Sequence, residues 1–366
     1  MRLSRAKSSS SGIALIIVMI SIFVLTILAG GFAYSMRVEA RLAQHANNET
    51  ELQWIGRSGV EYCRWILSLQ ASCPAEPYDA LTQIWAGGST GACATNGGLM
   101  DVQKELKLGH GSFTWKITDL ERKANINTAG DGMIQRALSL MGADAGNMTP
   151  IVNSILDWID PDDKPHIEGT ESEYYEGLEP SYSAKNGPID DISELLLIRG
   201  ITPDLYWGLA STNNPLGPVQ PDPKKVGFKD QEPLFTVGLV DLFTPISTGR
   251  INLNTASLEV LQLIPGVDNN MAQGIVSARG GENDGSGLTG PFMNTQPQYL
   301  WSRVPGLSLE IARSIQQFCD VRSRTFQVEI SAKVGVSERT FYAIVVRNSP
   351  RDLQVANFYW KTAGDR

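Results

Sequence analysis

Histidine is scarce in this 366-residue chain: His45, His110 and His166 are the only three, and they lie far apart. No H-E-x-x-H pair, G-x-S-x-G elbow or P-loop accompanies them, so zinc-protease, serine-hydrolase and phosphate-cradling chemistry lack their residues. "HIE" at 166–168 has no P-C-x-x-C partner to complete a zinc deaminase. Neighbouring carboxylates such as Asp190 and Asp191 could move protons, but nothing in the sequence supplies the pocket that such work needs. The chain reads as a non-enzyme. Cysteine is sparse too: Cys63, Cys73, Cys93 and Cys319 include no C-x-x-C pair and no metal-like spacing. A Cys73–Cys93 bridge across a Gly-rich loop is one arrangement if the soluble part is periplasmic; buried free thiols are the other. Positive charge is short, with 31 Lys and Arg against 39 Asp and Glu and a formal net charge of −8. Such a balance disfavours phosphate backbones and anionic membrane faces. Between Ser8 and Met36 there is no charge of either sign.

That uncharged run contains 24 mostly apolar positions, residues 13–36. As a helix it spans about 36 Å, against a hydrocarbon core of about 30 Å. Arg2, Arg5 and Lys7 precede it. The run could be removed by cleavage behind it at "LAGGFA", kept as an uncut anchor with its basic end in the cytoplasm, or kept after a cut in front of it. A secretory apolar region is shorter, about 7–15 residues. Neither a secretory signal nor a plain anchor explains "SSSSG" abutting "IALII". A Gly directly before an apolar helix resembles the type III signal of pilins and type II secretion pseudopilins. The resemblance implies that a prepilin peptidase cuts between Gly12 and Ile13 and methylates the new N-terminus, leaving the helix as an anchor. Most of that family carries Glu five residues after the cut. Here the position is Ile17, and the K-type minor pseudopilins of type II secretion are similar in lacking the Glu. Loss of the leader removes three cations and leaves 28 basic against 39 acidic residues, a balance of −11.

Beyond the span, Val38, Leu42, Ala46, Leu52, Ile55, Gly59, Cys63 and Ile66 form a helical stripe that Pro74 stops. Residues 74–100 read as loop. "SFTWKITD" (112–119) alternates Phe113, Trp115 and Ile117 inward, which predicts a strand with one buried face. Three similar runs, from Thr325, Arg339 and Leu353, are separated by "GVSE" and "NSPRD" and predict an antiparallel meander. Between about 122 and 322 the pattern is helical or loop-like. The expected fold is α+β: a long N-terminal transmembrane, pilin-like helix on a small antiparallel sheet, with a large all-α domain inserted between strands. The expected boundaries are a leader (1–12), a transmembrane helix (13–36), a first pilin-like part (37–121), a helical insertion (122–322) and C-terminal strands (323–366). Such an insertion is another resemblance to the K-type pseudopilins.

The insertion carries a repeat. "ANINTAG" (124–130) matches "INLNTAS" (251–257), and Gly200, Gly266 and Gly306 each sit between an apolar pair and a second apolar helix. These read as helix-hairpin-helix units, and "INLNTASLEVLQLIPGV" resembles the hairpin of competence-type DNA-binding proteins. In those, a second Gly lets the backbone reach a phosphate; here that position holds Thr202, Asp268 or Ser308. Residues 250–320 hold four Arg, no Lys and six acids, not the basic face that nucleic acid needs. The hairpins therefore read as structural, with the repeated Asn and Thr as turn and N-cap residues. "GSGLTG" (285–290) lacks the strand before and the helix after that a dinucleotide fingerprint requires.

The segment 157–194 holds twelve acids against two lysines. Carboxylates so crowded are either solvated or gathered round a cation. Trp158, Ile159, Tyr174, Tyr175 and Tyr182, interleaved with them, speak against full solvation. Calcium accepts six to eight oxygens from an irregular loop, although the spacing is not that of an EF-hand. The "DWID…Y…KN…EL" run resembles that of K-type pseudopilins, which implies one or two calcium ions. The candidate ligands are Asp160, Asp162, Asp163, Glu168, Glu171, Glu173 and Asn186. Taken together, the chain resembles the K-type minor pseudopilin family over nearly its whole length. The resemblance implies a single-pass inner-membrane protein with a periplasmic body, initiating or capping a pseudopilus for export of folded proteins. The implied partners are minor pseudopilins I and J, the major pseudopilin, prepilin peptidase and inner-membrane lipid, and not nucleic acid. Two other readings use the same residues: a membrane-tethered DNA-binding protein, and an uncleaved single-span periplasmic interaction protein.

Overall fold

A single helix, α1 (Ser11–Ala71), carries the chain from its apolar end into the folded body of the computed structural model, which describes residues 11–88, 93, 102, 104–208, 237–280 and 289–361. From Gly12 to Met36 the side chains are exposed all round. A helix apolar on every face has no side suited to water, and this one is long and apolar enough to cross a bilayer. Further along, one face turns inward: Leu52, Ile55, Val60, Cys63, Ile66 and Leu67 are buried. Each buried Leu or Ile contributes roughly 1.5–3 kcal/mol. Gly56 and Gly59 allow the sheet to come close; a Cβ there would stand 2.5 Å from the Phe341 ring and 2.7 Å from Ile330. Pro74 lies just past the end of the helix, as expected.

The buried stripe starts later than the sequence pattern suggested. Val38, Leu42 and Ala46 are exposed, because the sheet reaches only as far as Glu49 and Glu51. There Arg339 pairs with Glu49, and the His110 N–H donates to Glu51 Oε1 at 2.9 Å.

The sheet is antiparallel, with strand order β1 (Glu105–Leu108), β2 (Gly111–Asp119), β7 (Thr325–Val334), β8 (Ser337–Ser349) and β9 (Asp352–Lys361). The four expected strands are present, and their inward residues Phe113, Ile117, Val328, Ile330 and Phe341 meet α1. The added strand β1 buries almost nothing, which is why no alternation announced it; it exists by pairing with β2. β2 pairs with β7 (Trp115 opposite Ile330) across the whole insertion. β2 runs from the Glu51 end of α1 toward the Ala71 end, where Arg322 donates to the Ala71 carbonyl at 3.2 Å. The helical insertion thus leaves and rejoins the sheet at the Ala71 end of α1.

Cys73 and Cys93 form a disulfide with Cα atoms 6.3 Å apart. Buried Glu76 beside it accepts from Gln70 (2.6 Å), Gln83 (2.9 Å) and the Cys93 N–H (3.1 Å). Cys63 and Cys319 are free and buried, and burial pushes both thiols up.

The insertion has its own core, which also takes in Tyr78 and Ala80 from the loop after α1. It is not wholly helical. β3 (Ala124–Asn125) pairs with β4 (Phe243–Thr244), and β5 (Ile251–Asn252) with β6 (Cys319–Asp320), both in parallel. Each repeated Asn-x-Asn-Thr motif sits at one of these pairs. Asn127 grips the backbone of Ile189, accepting its N–H at 2.7 Å and donating to its carbonyl at 2.9 Å. Asn254 grips Phe292 in the same way, at 2.7 and 3.0 Å. These residues are turn-formers and clamps, not the N-caps expected: the following helices, α2 (Asp131–Met141) and α7 (Leu258–Leu261), are capped by Gly130 and Ser257.

The three hairpins are present. They join a 3₁₀ turn (Ile192–Leu197) to α5 (Pro203–Trp207), α7 to α8 (Asn269–Gly280), and α9 (Pro297–Arg303) to α10 (Leu309–Phe318). Gly200, Gly266 and Gly306 take φ of 86°, 87° and 80° at the turns. Thr202, Asp268 and Ser308, which replace the second Gly, accept the N–H groups of Leu205, Met271 and Ile311. Their side chains cap helices. Two of the four arginines in 250–320 are turned inward: Arg279 donates to Leu253 and Ala256 carbonyls, and Arg303 to those of Ala278, Gly290 and Pro291. Residues 285–288 of "GSGLTG" lie outside the described residues.

Sheet and insertion meet at a buried polar seam. Asp119, at the end of β2, accepts from Thr255 (2.5 Å), Ser323 (2.6 Å) and Asn252 (3.0 Å), while its other oxygen accepts the Glu121 N–H. Asp79 pairs with Arg347 and accepts the Ser323 N–H at 2.9 Å. Glu121 accepts the Arg324 N–H at 2.9 Å. Burial pushes Asp119 up and lifts Glu121 to about 7.

Candidate metal centre

The acidic segment begins inside α3 (Ala145–Ile159), which buries Ile151, Val152, Ile155 and Trp158. The period that buries this face also places Asp157 and Asp160 together at the helix C-terminus. That end carries partial negative charge, so two carboxylates there are unfavourable without a compensating cation.

Most of the twelve acids find protein partners or solvent. Asp157, fully buried, accepts the backbone N–H groups of His166 (3.0 Å) and Thr170 (2.5 Å) and is bonded to the His166 Nδ1. That last bond raises the His166 pKa. Lys185 bridges Asp190 (2.7 Å) and Glu194 (2.8 Å). Asp191 caps the 3₁₀ turn. Asp163 accepts from Asn186 Nδ2 and Ser172 Oγ, both at 2.9 Å, which holds its pKa down.

Three carboxylates lie close together, although Asp162 Oδ1 also accepts the Lys164 N–H at 2.9 Å and Asp160 lies 3.8 Å from the His166 Nδ1. Asp160, Asp162 and Glu171 each offer an oxygen within 4.8 Å of the others. Among the described residues, Asp160 Oδ1, both Glu171 oxygens and Asn186 Oδ1 are buried without a hydrogen-bond partner. All four are acceptors, and leaving them unpaired costs about 1–3 kcal/mol each. Burial lifts Glu171 to about 7, and the carboxylates of Asp157, Asp160, Asp163 and Asp162 add to the rise. Burial also raises Asp160. Asn186 Nδ2 donates to the Asp162 carbonyl at 3.1 Å, and a left-handed backbone (φ 47°) holds this residue in the loop.

Trp158 meets Tyr175 edge-on at 5.3 Å, and Tyr175 stacks on Tyr182 at 5.4 Å. This aromatic wall holds α4 (Ser172–Glu176), and Glu171 before it, against α3. An unsatisfied, all-oxygen, anionic pocket on an irregular loop fits a hard divalent cation, calcium before zinc or copper.

The candidate ligands therefore divide. Asp160, Asp162, Glu171 and Asn186 come together, and Asp163 borders them while bonded to Asn186. Glu168 (φ 63°) and Glu173 are exposed and outside the group. The Asp157–His166 pair beside it was missed, although "DWID" gave a signal: acids three apart share a helical face.

Known proteins resemble this chain. A family model described as "Type II secretion system (T2SS), protein K" matches residues 116–212. Type II secretion system protein K of Pseudomonas aeruginosa is 25% identical over 281 residues, 75% of this chain and 74% of that protein. The protein K of Klebsiella pneumoniae is 25% identical over 212 residues, 54% of this chain and 60% of its own length. A crystal structure of a GspK–GspI–GspJ complex, from the type 2 secretion system of enterotoxigenic Escherichia coli, contains a chain that matches with a TM-score of 0.63 at 17% identity. The match covers 88% of this chain and 99% of that one, and the likeness is one of fold.

Proposed function

This chain belongs to the type II secretion system protein K family, and on that premise we propose that it is a minor pseudopilin at the tip of a periplasmic pseudopilus. Prepilin peptidase cuts after Gly12 and methylates Ile13, the apolar helix stays in the inner membrane, and the body lies in the periplasm. There it joins minor pseudopilins I and J above the major pseudopilin. The work is assembly, not catalysis.

One observation carries the tip position. The helical insertion leaves and rejoins the sheet at the far end of α1 (Arg322 against Ala71), where a further stacked subunit would have to lie. The residue at Ile17 supports the same place. A carboxylate in lipid is costly unless a neighbour's positive N-terminus meets it, and a tip subunit has no such neighbour above. Asp160, Asp162, Glu171 and Asn186 would hold calcium, which would meet the oxygens left unpaired there and tie the loop to α3.

The test is the intact mass and N-terminal residue of the protein from native membranes. A chain starting at methylated Ile13 supports the reading; one starting at Met1 overturns it.

A further inference from the structure

The outer edge of the sheet is unusually open. β9 is a terminal strand, and "LQVANFYW" (353–360) contains no charge and no proline, the devices by which edge strands normally repel one another. A register shift between Ile344 and Val345 marks its one mid-strand irregularity. Val355 and Trp360 are exposed on it, Trp360 by 48%. Across the cleft, α1 exposes Trp54 by 63%. Between them Arg57 lies 5.7 Å from the Trp54 ring and 5.9 Å from Phe358. No carboxylate pairs with Arg57 among the described residues, whereas Arg339, over Trp360, is paired with Glu49.

We infer that the α1–β9 cleft is the docking face for one neighbouring pilin-like subunit, which adds an extended segment to β9 and sets a carboxylate on Arg57. This rests on the family reading above and names the surface. Three features select that occupant. The edge offers a row of backbone donors and acceptors, which an extended chain satisfies. Arg57 is an exposed cation already held between two rings, and such an arginine at the centre of an apolar patch favours a partner carboxylate. The cleft lies at the Glu49 end of α1, nearest the membrane-spanning stretch. A subunit anchored in the same membrane reaches this level.

The experiment co-expresses the full-length chain with minor pseudopilins I and J of the same organism and measures their co-purification from detergent. Arg57→Glu, Val355→Lys and Trp360→Lys should each lower capture of one partner by about tenfold or more. Trp301→Lys, at an exposed residue of the insertion, should leave it unchanged. Melting temperatures within a degree or two of the wild type identify the variants as folded. A Lys replacing one acidic residue of the captured partner should restore binding to Arg57→Glu. If the wild type captures both partners and all three cleft variants do so equally, this surface is wrong and the family reading stands. If the wild type captures neither, the family reading fails and the surface falls with it.

Discussion

Two clusters of carboxylates lie in this molecule, and their surroundings differ. At the seam, Asp79, Asp119 and Glu121 are surrounded by donors: Arg347, Thr255, Ser323, Asn252 and backbone N–H groups. The polar atom left over there is a donor, Arg347 Nη1. At the end of α3, Asp160, Glu171 and Asn186 leave four buried acceptor oxygens without a hydrogen-bond partner among the described residues. The same residue types form a weld in one place and leave an unsatisfied anionic pocket in the other. Acidity alone does not mark a site; what matters is which sign of partner the protein has withheld.

The largest effect should come from breaking the weld. Arg347→Leu strands Asp79 in the interior, and unfolding in denaturant should show a loss of about 3–5 kcal/mol, with or without calcium. A loss under about 1 kcal/mol would mean that the ion pair does not close the seam.

Calcium removal comes next. Titrating calcium into chelator-treated protein should raise its melting temperature, with about 2.7 kcal/mol gained at a hundredfold excess over Kd. The gain should persist in Arg347→Leu, because the seam needs no cation. A flat titration would remove calcium from the pocket.

A smaller effect separates the clusters by sign. Glu171→Gln should stabilise the chelated protein by about 1 kcal/mol, by removing a charge from among its neighbours. In calcium it should weaken binding about tenfold, since a ligand charge is lost. Glu121→Gln should act alike under both conditions. Glu171→Gln moving stability the same way in chelator and in calcium would refute the cation reading.

The smallest is a pH effect. Glu171 and Glu121 both rise to about 7 from an ordinary 4.5. A carboxyl raised by folding lends its stability fully below about 4.5 and loses it as pH rises through about 7. The chelated protein should therefore weaken across that window, and calcium should remove the Glu171 part of the slope. Below pH 7 calcium binding should also release protons, which a weakly buffered titration can count. Equal slopes with and without calcium would put Glu171 outside the site.

Much of the architecture was legible because it is periodic. The uncharged run, the alternation of Phe113 and Ile117, the three C-terminal strands and the hairpin glycines repeat at spacings that only one secondary structure explains. The seam was not legible. Asp119 ends "SFTWKITD" like any polar residue closing a strand, and its partners Thr255 and Ser323 lie 136 and 204 residues away. Asp157 was hidden for a related reason: burial against Thr170 and His166 is a matter of how the loop returns.

Sequence alone determined the membrane-length helix, the order of strands around an insertion, and the hairpins that turn at Gly200, Gly266 and Gly306. These follow from local rules of period, turn and cap. Tertiary structure decided where α1 gains a partner, so that Val38, Leu42 and Ala46 stay bare while Leu52 is buried. It also decided which of twelve acids face one another. A carboxylate's role depends on the donors that folding brings to it from distant parts of the chain, and no local pattern records them.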